Sequence, residues 1–210
     1  MRPAPKEVFC VTFIHEAAHA MVYDALDISL QSVRVQISPF GVPSGITERG
    51  TNVNIKTAAV VLEFMAGAAA ILGICRLDFE EMLHTFTSDF CVLLRNVPQL
   101  QVPNSQKPMV WLAFCRLGAE HFVRDWVVRY RRSILRFASA LMKARVSNNI
   151  YEISGDALHN AMSLAWRGNK PSATETESFA QAGLERLPQE IEINLEWQQT
   201  VLRFCEEQGA

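Results

Sequence analysis

Apolar residues recur at three- and four-residue spacing along the opening stretch, at Val8, Val11, Ile14, Ala18, Met21, Val22 and Ala25. That is the period of an amphipathic helix with one buried stripe. Pro3 and Pro5 precede it, as suits a helix start, and no Gly or Pro interrupts residues 6–28. The period then changes: Ser32-Val33-Arg34-Val35-Gln36-Ile37 alternates polar and apolar residues, which predicts a half-buried strand. Pro39, Gly41, Pro43, Gly45 and Gly50 punctuate the following loop, and Gly45-Ile46-Thr47 reads as a short returning strand, so a small antiparallel sheet is expected. From Ile55 to Leu77 the chain is apolar nearly all round, through Ala58, Val61, Leu62, Met65, Ala66, Ala69 and Leu72, and predicts a central helix. Gly67 and the alanines let that helix be packed closely at a small cost in propensity.

Residues 80–96 carry two helical pieces meeting near Thr85-Phe86-Thr87-Ser88-Asp89, where Thr87 or Ser88 suits a cap. Pro98, Pro103 and Pro108 make residues 97–108 a loop. A long amphipathic pattern runs from Met109 to Val146 with a break near Gly118 or Glu120, and Ser154-Gly155-Asp156 starts a helix that ends near Arg167-Gly168. Residues 168–188 are polar, with Gly, Pro, Ser and Thr, and read as a linker or mobile loop before a last helix from about Gln189 to Glu207. The expectation is a mainly α fold with a small antiparallel β element, of the α+β class. Its parts would be a domain over 1–167, a linker over 168–188 and a C-terminal helix over 189–210.

Composition narrows the classes. A chain of 210 residues, 49% hydrophobic and 20% charged, is globular rather than disordered. A net charge of -2 exerts no general pull toward nucleic acid or an acidic membrane surface. Arg124, Arg129, Arg131, Arg132, Arg136, Lys143 and Arg145, with Trp126 and Tyr130 among them, read as a solvated basic helix face, and no nucleic-acid partner is expected. Cys10, Cys75, Cys91, Cys115 and Cys205 are an odd number without paired spacing, as for reduced core residues of a cytoplasmic protein. Lys6 and Glu7 break any signal-peptide pattern, and the longest apolar run, Phe64 to Cys75, is too short to span a bilayer. No phosphate-binding loop marks an ATPase.

His15-Glu16-Ala17-Ala18-His19 carries the chemistry. Four helical residues rise about 6 Å and wind slightly more than one turn, so both imidazoles project from one face and can share an ion. Glu16 is then placed to act on water at that ion without being a ligand, as in zinc metalloproteases. Such sites have three protein ligands, with water in an open position. His84, His121, His159, Glu63 and Asp89 are candidates for the third, although Asp89 at a helix beginning is also accounted for by the free N–H groups there.

The order of pieces resembles the peptidase domain of the FtsH family of membrane ATP-dependent zinc metalloproteases. The resemblance is carried by Ile14-His15-Glu16-Ala17-Ala18-His19-Ala20, Ile37-Ser38-Pro39-Phe40-Gly41 with Ser44-Gly45-Ile46-Thr47, Met65-Ala66-Gly67-Ala68-Ala69-Ala70 and Phe86-Thr87-Ser88-Asp89-Phe90. Arg131 to Met142 and Ile153-Ser154-Gly155-Asp156-Ala157-Leu158 are similar to its closing helices, so the likeness spans roughly 7–166. It implies a zincin-like helical peptidase domain over 1–167, Zn2+ as cofactor, His15, His19 and Asp89 as ligands, and Glu16 as the catalytic base. Ala18 replaces a family glycine, Phe40 replaces an arginine, and Ala68 and Ala70 stand for Arg and Glu. The family's subunit contacts therefore need not carry over, which leaves open a homo-oligomer or a separate partner ATPase.

The expected activity is zinc-dependent hydrolysis of peptide bonds in unfolded or flexible polypeptides. Val33, Val35 and Ile37 would dock the substrate by strand pairing. The alternative is an inactive peptidase-like protein that binds partners or regulates a protease.

Overall fold

The computed structural model of the chain describes residues 5–50, 57–75 and 123–191. Its first helix, α1 (Pro5–Ala25), covers the expected segment and stops where Asp27 takes a left-handed φ of 54°. One buried stripe was expected; instead every residue from 11 to 25 except Ile14 and Asp24 is buried. Ala17, Ala18, Ala20 and Ala25 have almost no bulk, so neighbours close in on all sides and α1 becomes the axis of the core.

Strands β1 (Leu30–Ile37) and β2 (Pro43–Arg49) form the expected hairpin. The alternation in β1 has the anticipated meaning: Val33 and Val35 are fully buried, while Arg34 on the other face pairs with Glu152 at 2.7 Å. Two more strands, β3 (Arg145–Ser147) and β4 (Ile150–Ser154), enlarge the sheet in the order β2-β1-β4-β3, antiparallel throughout. They correct the helix expected to reach Val146. Ala144 leaves helical geometry at φ -86°, ψ 52°, and Asn148-Asn149 turn the chain back so that Ile153 packs beside Val33. The Arg145 guanidinium braces this turn by donating to the carbonyls of Ser147 and Asn148.

The central helix appears as α2 (Thr57–Ala70), continued by a π-helical turn over Ile71–Cys75. Helices α3 (Arg124–Arg129) and α4 (Arg131–Lys143) meet at Tyr130, and α4 lies along α1. Trp126 is buried in an edge-to-face cluster with Trp166, so it belongs to the core rather than to a stacking surface. Helix α5 (Gly155–Trp166) ends as expected, with Arg167 and Gly168 both left-handed. The Trp166 indole N–H donates to Asp24 at 2.6 Å, and Lys170 reaches Asp24 and Asp27, which fastens this end to the foot of α1.

Residues 168–188 are not a linker. Helix α6 (Ala173–Ile191) occupies most of them and packs against α2 with Thr176 and Ala180 buried. Its start is a capping box: the Ser172 amide donates to Glu175 Oε2 at 2.8 Å, and the Glu175 amide donates to Ser172 Oγ at 3.2 Å. The core therefore extends past the boundary expected at 167. The rest of the helix expected over 189–207, the pieces over 80–96, the loop over 97–108 and the break near Gly118 lie outside the described residues. Among the described residues no helix is long and apolar enough to cross a membrane.

Cys10 and Cys75 are both free thiols. Cys10 is exposed and so departs from the core reading. Cys75 is half-buried, and burial pushes its thiol up to about 11. At pH 9 about one part in a hundred of such a thiol is the nucleophilic thiolate. Alkylation of Cys75 by iodoacetamide, followed by peptide mass spectrometry, should therefore rise nearly tenfold per pH unit from 8 to 10. A plateau by pH 9 would show that burial does not suppress its ionisation.

Candidate metal centre

His15, Glu16 and His19 are 4%, 5% and 6% exposed, at the middle of α1 where all sides are packed. The helical repeat does bring the rings together: His15 Nε2 and His19 Nε2 are 3.0 Å apart, with the ring planes at 74°. Two nitrogens on one tetrahedral zinc, each about 2.0–2.1 Å from it, stand roughly 3.3 Å apart. The pair is therefore within a few tenths of an ångström of a chelating geometry.

Its chemistry is set from α2. His19 Nδ1 lies 2.7 Å from the Glu63 carbonyl oxygen, and a carbonyl can only accept, so Nδ1 carries the proton. In the neutral ring Nε2 then holds the lone pair, the arrangement that outer partners impose on metal-binding histidines. Gly67, one turn further along α2, touches both imidazoles: a Cβ built there would fall on His15 Cε1 and Nδ1 and on His19 Nε2. A glycine is required for that approach.

Glu63 serves as a support. Its fully buried carboxylate accepts from the Tyr23 hydroxyl and from Arg49 Nη1, which is 3.3 Å from each oxygen. Burial raises its pKa, while Tyr23, Arg49 and His19 act in the opposite sense. With its carboxylate committed to Tyr23 and Arg49 and its carbonyl to His19, the side chain is turned away from the role of third ligand weighed for it.

Glu16 is held from the sheet. Thr47 Oγ1 donates to Glu16 Oε2 at 2.8 Å, while Oε1 lies 3.9 Å from His15 Nε2. Gly45 leaves room for this side chain, since a Cβ there would overlap it. Gly45, Thr47 and Arg49 are alternate residues of β2, and the two-residue strand period delivers all three to the site.

The expected role of Val33, Val35 and Ile37 in strand pairing with a substrate is corrected by the topology. β1 lies between β2 and β4, so its backbone groups are used on both edges; Ile37 N–H donates to the Asn149 carbonyl at 2.8 Å, and Val33 and Val35 face the core. The outer edge of β2 is the one left unpaired on this side among the described residues.

Asp89, His84 and His121 lie outside the described residues. His159 lies on α5 and lines a cavity of about 300 Å³ with Asp24, Asp27 and Lys170, a cavity that neither His15 nor His19 enters. Among the described residues no three His, Cys, Asp or Glu side chains converge as a ligand set. The structure thus brings together His15, Glu16 and His19. Sequence reasoning missed Thr47, Gly67 and the Glu63 carbonyl; a lone glycine in an alanine-rich helix was the available signal for Gly67, and Thr47 stands at period two from Gly45. No protein-family profile, curated protein or solved structure matches the chain.

Proposed function

We propose that this α+β protein is a zinc-dependent peptidase that hydrolyses peptide bonds in unfolded or flexible polypeptides. The observation that carries the reading is the His15–His19 pair, 3.0 Å apart with Nδ1 of His19 fixed by a backbone carbonyl, beside a carboxylate that is not itself needed as a ligand. The residues fit a zinc ion: His15 and His19 Nε2 would hold it, with Asp89 as the third ligand implied by the FtsH resemblance. Bound zinc supplies a Lewis acid that polarises the scissile carbonyl and makes water acidic near neutral pH.

The chain's own groups do the rest. Glu16 takes a proton from the attacking water and passes it to the leaving amine. The outer edge of β2 pairs with the extended substrate, giving affinity through backbone hydrogen bonds with little sequence preference. Substrates are chains already unfolded or handed over by a separate ATPase. Free thiols at Cys10 and Cys75 suit a reducing compartment such as the cytoplasm.

A second reading, a peptidase fold that binds partners without cutting, draws on the hairpin tip, where Phe40 is 93% and Val42 61% exposed. Metal analysis with turnover separates the two. The parent should hold one zinc per chain and degrade an unfolded casein. His19→Ala and Asp89→Ala should each weaken zinc binding by at least about 100-fold, more than loss of an outer-shell partner does. Asp89→Ala with parental affinity would remove Asp89 from the ligand set. One zinc per chain with no cleavage of any unfolded protein would favour the partner-binding reading.

A further inference from the structure

A general base needs one oxygen free for the proton, and a glutamate side chain turns about three bonds. Ordering such a side chain costs rotamer freedom. Here the fold orders it in advance. Thr47 Oγ1 has one proton and two acceptors in reach, Glu16 Oε2 at 2.8 Å and the Glu16 carbonyl at 3.3 Å. The carbonyl sits inside α1, where the helix ladder already supplies a donor, so the hydroxyl proton goes to the shorter, charged partner. Oε1 is left on the imidazole side.

We propose that Thr47 is a positioning residue for hydrolysis: its hydroxyl pins Glu16 Oε2, so that Oε1 alone faces the imidazole pair and moves the proton. The inference rests on the peptidase reading above. It adds a coupling that the paired histidines do not imply. β2 offers its outer edge to the substrate and its inner face to the base, so one strand sets the distance between the scissile bond and Oε1.

The test compares the full-length, zinc-loaded parent with Thr47→Val, Thr47→Ala and Thr47→Ser on fluorescently labelled unfolded casein. Val keeps the branched shape without the donor, Ala is a second donor-free variant should Val disturb the fold, and Ser keeps the hydroxyl. A hydrogen bond to a charged group is worth about 10- to 100-fold in a rate. The donor-free variants should lose kcat by that factor, with KM within about twofold and one zinc per chain retained, and Ser should recover most of the rate. Parental kcat in Thr47→Val or Thr47→Ala overturns the proposal and leaves the peptidase reading standing. So does a Ser variant as slow as the donor-free ones, since that is a packing defect. A zinc-loaded parent that cuts nothing overturns both.

Discussion

Glu16→Gln should stop hydrolysis while zinc stays bound. The amide matches the carboxylate in shape, and Thr47, 2.8 Å from Oε2, can still donate to the amide oxygen, so the side chain keeps its seat. What is lost is basicity. A positioned general base contributes about 10²- to 10⁴-fold, and a fall in kcat of that size is expected, with one zinc per chain and an unchanged melting temperature. Zinc content is the discriminating control, because Glu16 touches His15 only at 3.9 Å and is not needed as a ligand. A Gln variant that cuts at the parental rate would remove Glu16 from the mechanism.

Gly67→Ala should damage the centre from the opposite side. On helix propensity alone, alanine for glycine inside α2 would stabilise the chain by about 1 kcal/mol. Packing predicts the reverse, because the added methyl falls on ring atoms of both histidines, and His19 is tied to the Glu63 carbonyl and has little room to yield. Overpacking a dense core costs about 1–3 kcal/mol. For a domain of this size that lowers the melting temperature by roughly 2–12 °C. Zinc affinity should fall by at least about tenfold, since the rings cannot keep their mutual placement if either moves aside. A higher melting temperature with zinc binding intact would show that α2 does not press on the imidazoles. The sign of the change therefore decides between local propensity and tertiary contact.

The chemistry-bearing helix was legible because its signal is local: two histidines and a glutamate within one turn acquire their geometry from the helix itself. The β1 alternation was legible for the same reason, as it assigns faces. It says nothing about which edges are paired, and β1, with Val33, Val35 and Ile37, is paired on both. β3 and β4 escaped notice because strands of three and five residues, following directly on α4, are too short for a period to declare itself. α6 was hidden by polar composition, although Ser172 and Glu175 at capping-box spacing announced its start. The supports of the site were the least legible part. Thr47, Gly67 and the Glu63 carbonyl act across 31, 48 or 52, and 44 positions of sequence respectively, and only the folded chain brings such partners together.

The placement of β1 between β2 and β4 has a consequence for how the protein is made. Arg34 meets Glu152 across 118 residues, so during synthesis the segment holding both histidines leaves the ribosome long before the strand that closes the sheet beside it. Until residue 154 emerges, the nascent hairpin presents on β1 an edge of unpaired backbone N–H and C=O groups, the kind of template that recruits other chains. Holdase chaperones should accordingly engage this protein early in translation and let go once β4 has zipped in.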